Sequence, residues 1–318
     1  MGYSPTPNVT TSATLRHQIS AYYRRQALDQ LTPIHVFYEL CEPDQIPKRN
    51  GGTIQWFRYT LFGANTTPHT EGTVGTSLTM DSNKITATLK EYADFISASA
   101  FLLDTEIDST ITNYSKNLGI RAALSVDTIT RTEFDATTST EQTALGTTFS
   151  ASDIRADVSR LKGLNVLPKD DGYFRTTIHP YMSFDLMADN TAGGWTEMAK
   201  YTEPSRMLSG EIGRVGGSRV METTNVKTSG TAPDVIYYNY TVGAGAIGAV
   251  DLAGSGPSKI RDPQNQMFNI RVIPGGPGPS DPEGMIGGYV SYLYRYVVKD
   301  LDSTVPRHRK TLANASLV

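Results

Sequence analysis

The chain has 318 residues, 38 % of them hydrophobic, enough to bury one large core or two modest ones, and this excludes a disordered ground state. Charged residues make up only 19 % and sum to −3, which excludes tight non-specific binding of nucleic acid, because that needs clustered Lys and Arg to displace counterions. The single cysteine, Cys41, has no intramolecular disulfide partner, and neither a signal-like apolar stretch nor a membrane-length run of about eighteen apolar residues is present, so synthesis in a reducing cytoplasm is expected.

In chain order, the first dozen residues are polar and Pro-bearing and read as an extended arm. Leu15, Ile19, Tyr22, Tyr23, Ala27 and Leu31 then recur at helical spacing and predict a short amphipathic helix. Pro33, Pro43 and Pro47 predict a strap that crosses a surface. From Gly51 the period changes to two: Ile54, Trp56 and Arg58 fall on one side of a strand, Gln55, Phe57 and Tyr59 on the other, as far as Gly63. Residues 64–83 are polar, with Pro68, Gly72 and Gly75, and lead to a second alternating run over 84–95. Together these predict a long hairpin whose tip has almost nothing to form a core.

Thr105 and Asp108 have capping-box spacing, and Ile107, Ile111, Tyr114, Leu118, Ala122, Ile129 and Phe134 follow as a helical stripe of about eight turns, with Gly119 as its weak point. A helix well beyond the roughly 12-residue average is a candidate spine. The acidic group Asp104, Glu106 and Asp108 stands at its start, where the macrodipole favours carboxylates with no ligand needed. A Thr-rich linker over 136–148 precedes a helix capped at Ser150 or Ser152, striped by Ile154, Val158 and Leu161 and stopped by Gly163. A turn at Asp170-Asp171-Gly172, a strand over 173–178 and a short helix opened by Pro180 complete a mixed block. After Gly210, strands are expected at 218–222, 235–242 and 268–273; a Pro/Gly segment at 274–279 then leads to a last strand carrying Tyr289, Ser291, Leu293, Arg295 and Val297. The basic stretch Arg307-His308-Arg309-Lys310 reads as a solvated terminus.

Little in the chain points to catalysis. Gly243-Ala244-Gly245-Ala246-Ile247-Gly248 follows a strand and has Asp262 downstream, as a dinucleotide fingerprint would, but Gly254, Gly256 and Pro257 interrupt the helix that should hold the pyrophosphate. An α/β enzyme or binding protein using this loop is the alternative reading. His17, His35, His69, His179 and His308 are scattered singly, and no Gly-x-Ser-x-Gly elbow is present. No catalytic residue, cofactor or metal ligand is assigned. The myristoylation-like start at Gly2 and five sequons, at Asn8, Asn65, Asn113, Asn239 and Asn314, read as products of composition.

Four passages carry a family resemblance. Gly51-Gly52-Thr53-Ile54 into Trp56-Phe57-Arg58, then Asn65-Thr66-Thr67-Pro68-His69-Thr70-Glu71-Gly72, is the first, and the return run with Glu91-Tyr92-Ala93 is the second. Ile178-His179-Pro180 with Asp185-Leu186 is the third, and Gly210-Glu211-Ile212-Gly213 followed by Gly217-x-Arg219-Val220-x-Glu222 the fourth; Ser280-Asp281-Pro282 completes the series. Over roughly 15–300 the chain resembles the major capsid family typified by the enquatro-type podophages, of the Hong Kong 97-like capsid fold, an α+β class. It departs from the pattern at Gly245-Ala246, where family members often carry a charged residue.

The resemblance implies an N-terminal arm over 1–50, an E-loop hairpin over 51–95, a P-domain with the spine helix over 96–149, an A-domain over 150–280, and a return strand to the P-domain and a tail over 281–318. It implies a virion shell subunit, assembled in the host cytoplasm, whose partners are copies of itself in hexamers and pentamers, a scaffolding protein, a portal, a decoration protein and, weakly, packaged DNA, with no membrane. Arg58, His69 and Glu71 are the expected inter-subunit contacts. Some capsids of this fold join subunits through an E-loop lysine; residues 63–83 contain none, so a non-covalent shell is expected.

Overall fold

The computed structural model describes residues 36–47, 49–60, 62–105, 110–136, 141–189, 211–231, 234–252, 269–274, 285–302 and 305–315. A 3-10 turn, Tyr38–Leu40, leads into β1 (Glu42–Ile46). The strands β2 (Thr53–Tyr59), β3 (Ser82–Thr88) and β4 (Lys90–Ser99) precede the helices α1 (Ala100–Thr105) and α2 (Thr110–Ala136). Then come β5 (Glu141–Thr148), α3 (Ala151–Gly163), β6 (Phe174–Ile178) and α4 (Pro180–Ala188). Seven of the eight remaining strands are β7 (Glu211–Val215), β8 (Ser218–Glu222), β9 (Thr228–Ser229), β10 (Ile236–Val242), β11 (Ile247–Leu252), β12 (Asn269–Pro274) and β13 (Ile286–Asp300); the last is β14 (His308–Asn314).

Two sheets take twelve of these strands, and β2 and β3 pair as a third, two-stranded sheet. The first runs β1-β11-β13-β12, with β4 along the other edge of β13; the second runs β5-β14-β10-β6-β8-β7, with β9 on β10. From Gly288 to Val298 the 15-residue strand β13 alternates strictly, burying Val290, Tyr292, Tyr294, Tyr296 and Val298. That period puts every second side chain on the face that meets α2, where Thr130 Oγ1 and Tyr296 Oη lie 2.8 Å apart. On α2 the buried positions include Leu118, Ala122, Ala123, Val126 and Phe134, while Ile111 and Ile129 are half-buried. Phe37, Phe134 and Tyr240, with ring centroids 5.6 to 6.0 Å apart, join the start of the described chain, the end of α2 and the second sheet in one core.

Several sequence expectations match. The helix α3 starts after Ser150, whose N–H donates to the Asp153 carboxylate at 2.9 Å, and it buries Ile154, Val158 and Leu161. Pro180 opens α4, and His179 caps it by accepting the Tyr181 N–H at Nδ1, 3.2 Å away. The strands expected at 218–222 and 235–242 are β8 and β10.

Others are corrected. The stretch before Ile46 is no surface strap: Phe37, Leu40 and Cys41 are buried, and the Phe37 N–H donates to Asp127 Oδ1 at 2.7 Å, a carboxylate that also takes Asn225 Nδ2 at 2.8 Å. Pro43 is tolerated because β1 is an edge strand, where a missing donor costs little. The alternation over 84–95 breaks at Leu89, whose N–H goes to Gly52 O at 2.8 Å; β3 stays with β2, and β4 begins a ten-residue register with β13. Thr105 ends α1, its hydroxyl donating to Phe101 O at 2.8 Å, and does not cap the spine. The supposed linker contains β5, parallel to β14.

The largest correction concerns the basic stretch. His308, Arg309 and Lys310 lie in β14 between β5 and β10 and are buried. They are tolerated because partners replace water. Arg309 Nε meets Asp157 Oδ1 at 3.1 Å, Lys310 Nζ donates to Asp135 O at 2.8 Å, and the His308 ring stands edge-on to Phe134. The helix expected around residues 15–31, together with Glu106, Ile107, Asp108, Asp262, Phe268, the 275–279 part of the Pro/Gly segment and Ser280-Asp281-Pro282, lies outside the described residues.

Candidate functional site: an exposed hairpin and its base

In β2 and β3 the two-residue period sorts side chains onto two faces. Ile54, Trp56 and Arg58 are half-buried, whereas Gln55, Phe57 and Tyr59 are exposed. Ile85 lies opposite Trp56 and buried Ala87 opposite Ile54, so one face of the hairpin meets the body. Among the described residues these strands pair only with each other, and every described residue from Tyr59 to Lys84 is exposed. Exposure extends to large apolar groups: Phe57 is 56 % and Val74 100 % exposed, and Phe62, Leu78 and Met80 are exposed as well. A two-stranded hairpin is marginal on its own, and apolar surface held in solvent is the mark of a contact surface.

The base of the hairpin is held differently. Arg58 Nη1 engages the Asp302 carboxylate, and Nη2 donates to Gly245 O at 3.0 Å. Arg307 approaches the same carboxylate through Nε at 3.4 Å and donates to Ala244 O at 3.3 Å. Burial and the neighbouring Arg307 lower the Arg58 pKa, and Asp302 opposes them. The Gly245 N–H goes to Glu42 Oε1 at 3.1 Å, and Lys169 Nζ lies 3.4 Å from that oxygen.

The three expected contact residues are not brought together. Arg58 is tied into its own subunit at the hairpin base, while His69 and Glu71 are exposed in the connection between β2 and β3. Sequence reading missed Trp56, Gly245, Gly248 and Asp302 as parts of the base; the signal available was that Trp56 and Arg58 share a strand face.

The glycine motif is a turn between β10 and β11, with a strand where the fingerprint needs a helix. Its first three N–H groups are already engaged: Gly243 donates to Arg307 O at 2.9 Å, Ala244 to Leu167 O at 2.9 Å, and Gly245 to Glu42. An anion would have to displace these acceptors. Burial pushes the Cys41 thiol well up, away from thiolate chemistry. Among the described residues, no group of three His, Cys, Asp or Glu is placed to hold a metal, and no helix is long and apolar enough to cross a membrane.

No protein-family model and no curated protein matches the sequence. Solved structures do match. The capsid of Ralstonia phage GP4 superposes with a TM-score of 0.65 at 10 % identity over 87 % of each chain. The head of Helicobacter pylori bacteriophage KHP40 gives 0.62 at 10 % over 88 % of this chain and 92 % of that one, and the capsid of cyanophage P-SCSP1u 0.61 at 13 % over 89 % of each. The α+β architecture is the Hong Kong 97-like capsid fold implied by the sequence resemblance.

Proposed function

We propose that the chain is a structural shell subunit that assembles with copies of itself, as hexamers and pentamers, into an icosahedral capsid enclosing phage DNA. The observation that carries this reading is the hairpin, whose apolar side chains a lone subunit leaves in water, on a chain with a capsid fold. The stripe Tyr181, Phe184 and Met187 on α4 is a second exposed apolar surface available to neighbours.

In this reading residues 1–50 are the N-terminal arm, 51–95 the E-loop with its return ending near Leu89, 96–149 the P-domain, 150–280 the A-domain, and 281–318 the return strand and tail. Scaffolding, portal and decoration proteins are the further partners, and DNA contact is weak at a net charge of −3. His69 and Glu71 are inter-subunit contacts, Arg58 acts from the base, and the shell is held without isopeptide links. Assembly takes place in the host cytoplasm and the product resides in the virion. We read the chain as working without catalysis; the engaged N–H groups of Gly243, Ala244 and Gly245 speak against a phosphate site in the glycine turn.

Negative-stain microscopy and sedimentation of the expressed chain, with and without scaffolding protein, test the proposal. Shells, tubes or rings are the expected outcome, and mature particles boiled in detergent should run as a single band near the chain mass. A chain monomeric under all conditions, binding nicotinamide nucleotides, overturns it.

A further inference from the structure

We propose that the glycine turn at 243–248, with Leu301, Asp302 and Arg307, is a socket that sets the angle of the hairpin, Trp56 being its plug and Arg58 its bolt. The device lies within one chain and does not depend on the shell reading.

Each glycine of the turn has a separate role in the fit. A Cβ at Gly243 would stand 3.1 Å from Leu167 O and 3.2 Å from a Phe174 ring carbon, so the turn is pressed onto the segment before β6. Gly245 adopts φ +64°, a conformation that side chains disfavour, and from there directs its carbonyl to Arg58 and its N–H to Glu42. At Gly248 a Cβ would stand 3.0 Å from both Trp56 Cζ2 and Leu301 Cδ2, so the absence of a side chain is what lets that ring seat against β11. The Leu301 N–H, bonded to Ala246 O at 3.0 Å, fixes the far wall.

Arg58 secures the plug at two points, the Asp302 carboxylate and Gly245 O. A planar guanidinium holds both at once, whereas a single ammonium on a flexible stem does not define such an angle. The Arg58 and Asp302 side chains are 27 % and 12 % exposed, so the pair is partly shielded from salt. Two strands that pair only with each other have no other described polar side-chain anchor to the body, so this contact determines where the hairpin points.

The test uses the full chain, as purified and dilute, with Trp195→Phe so that Trp56 is the one remaining tryptophan. Acrylamide quenching of Trp56 is measured alongside the far-UV circular dichroism melt. In Gly248→Val, Asp302→Ala and Arg58→Lys the quenching constant is expected to rise about twofold or more with little change in the melt, as for a local release. If Gly248→Val fails to fold, Asp302→Ala and Arg58→Lys, which place no added bulk in the turn, decide by the same reading. Parent-like quenching in those two overturns the socket, and so does a rise that occurs only in step with loss of the whole melt.

Discussion

Composition and burial run in opposite directions in two parts of this molecule. Strand β14 opens with His308, Arg309 and Lys310 and is buried, while the hairpin of β2 and β3 shows Phe57, Tyr59, Phe62, Val74, Leu78 and Met80 to solvent. The difference teaches what decides burial here. Basic residues go inside where the fold supplies a carboxylate, a carbonyl and a ring for them, as Asp157, Asp135 and Phe134 do for Arg309, Lys310 and His308 of β14. Apolar groups stay outside where, among the described residues, no third strand covers them.

Breaking the first half of the comparison should cost most. Asp157→Ala leaves Arg309 buried beside Asp157's empty place and takes the partner from the Thr311 hydroxyl; the loss is expected to be about 3–5 kcal/mol, measured by denaturant unfolding. A loss no larger than that of Glu91→Ala, an exposed carboxylate in an ion pair with Arg295, removes the claim that β14 depends on its buried pair. Leu118→Ala, in the ordinary apolar core of α2, should cost about 2–5 kcal/mol. Exposed Asn117→Ala is the control, and equal losses at the two positions show that the stripe does not pack.

The same burial has a pH signature. His308 is held neutral, its pKa pushed down by burial to about 4 from its ordinary 6.5. The unfolded chain therefore binds a proton between pH 6.5 and 4 that the folded chain does not, and this group's contribution falls as pH drops through that window. Asp127 and Asp251, pushed up by burial to about 6, act with the opposite sign, adding stability as pH falls from 6 towards 3.8. Unfolding curves of His308→Asn should thus lose less stability between pH 6.5 and 4 than the parent; parallel curves contradict a neutral buried imidazole. Smallest of all should be Phe57→Ser in the unassembled chain, within about 0.5 kcal/mol as at other exposed positions. The yield of assembled particles should nevertheless fall, and unchanged assembly argues that this face meets no neighbour.

What could be read from the sequence followed from periodicity. Ile54, Trp56 and Arg58 were separable from Phe57 and Tyr59 because one face of β2 is half-buried, and Ser150 with Asp153 marked α3 because capping is local. β5 and β14 were illegible for a shared reason. Each is polar in sequence, and their strand character comes from pairing with chain far away, Glu141 opposite Lys310 and Lys310 opposite Tyr240. The hairpin base was hidden likewise: Asp302 lies 244 positions from Arg58, and no local pattern connects them.

The position of β14 also orders events during synthesis. It lies between β5 and β10, so the second sheet cannot close until residues 308–314 are free to pair, although five of its other strands, β6 to β10, were made by residue 242. Nascent chains stalled before β14 leave the facing edges of β5 and β10 unpaired and Asp157 without Arg309. Closure by such distant segments is slow. A chain that ends before residue 308 therefore lacks the strand that joins β5 to β10, and its second sheet stays in two pieces.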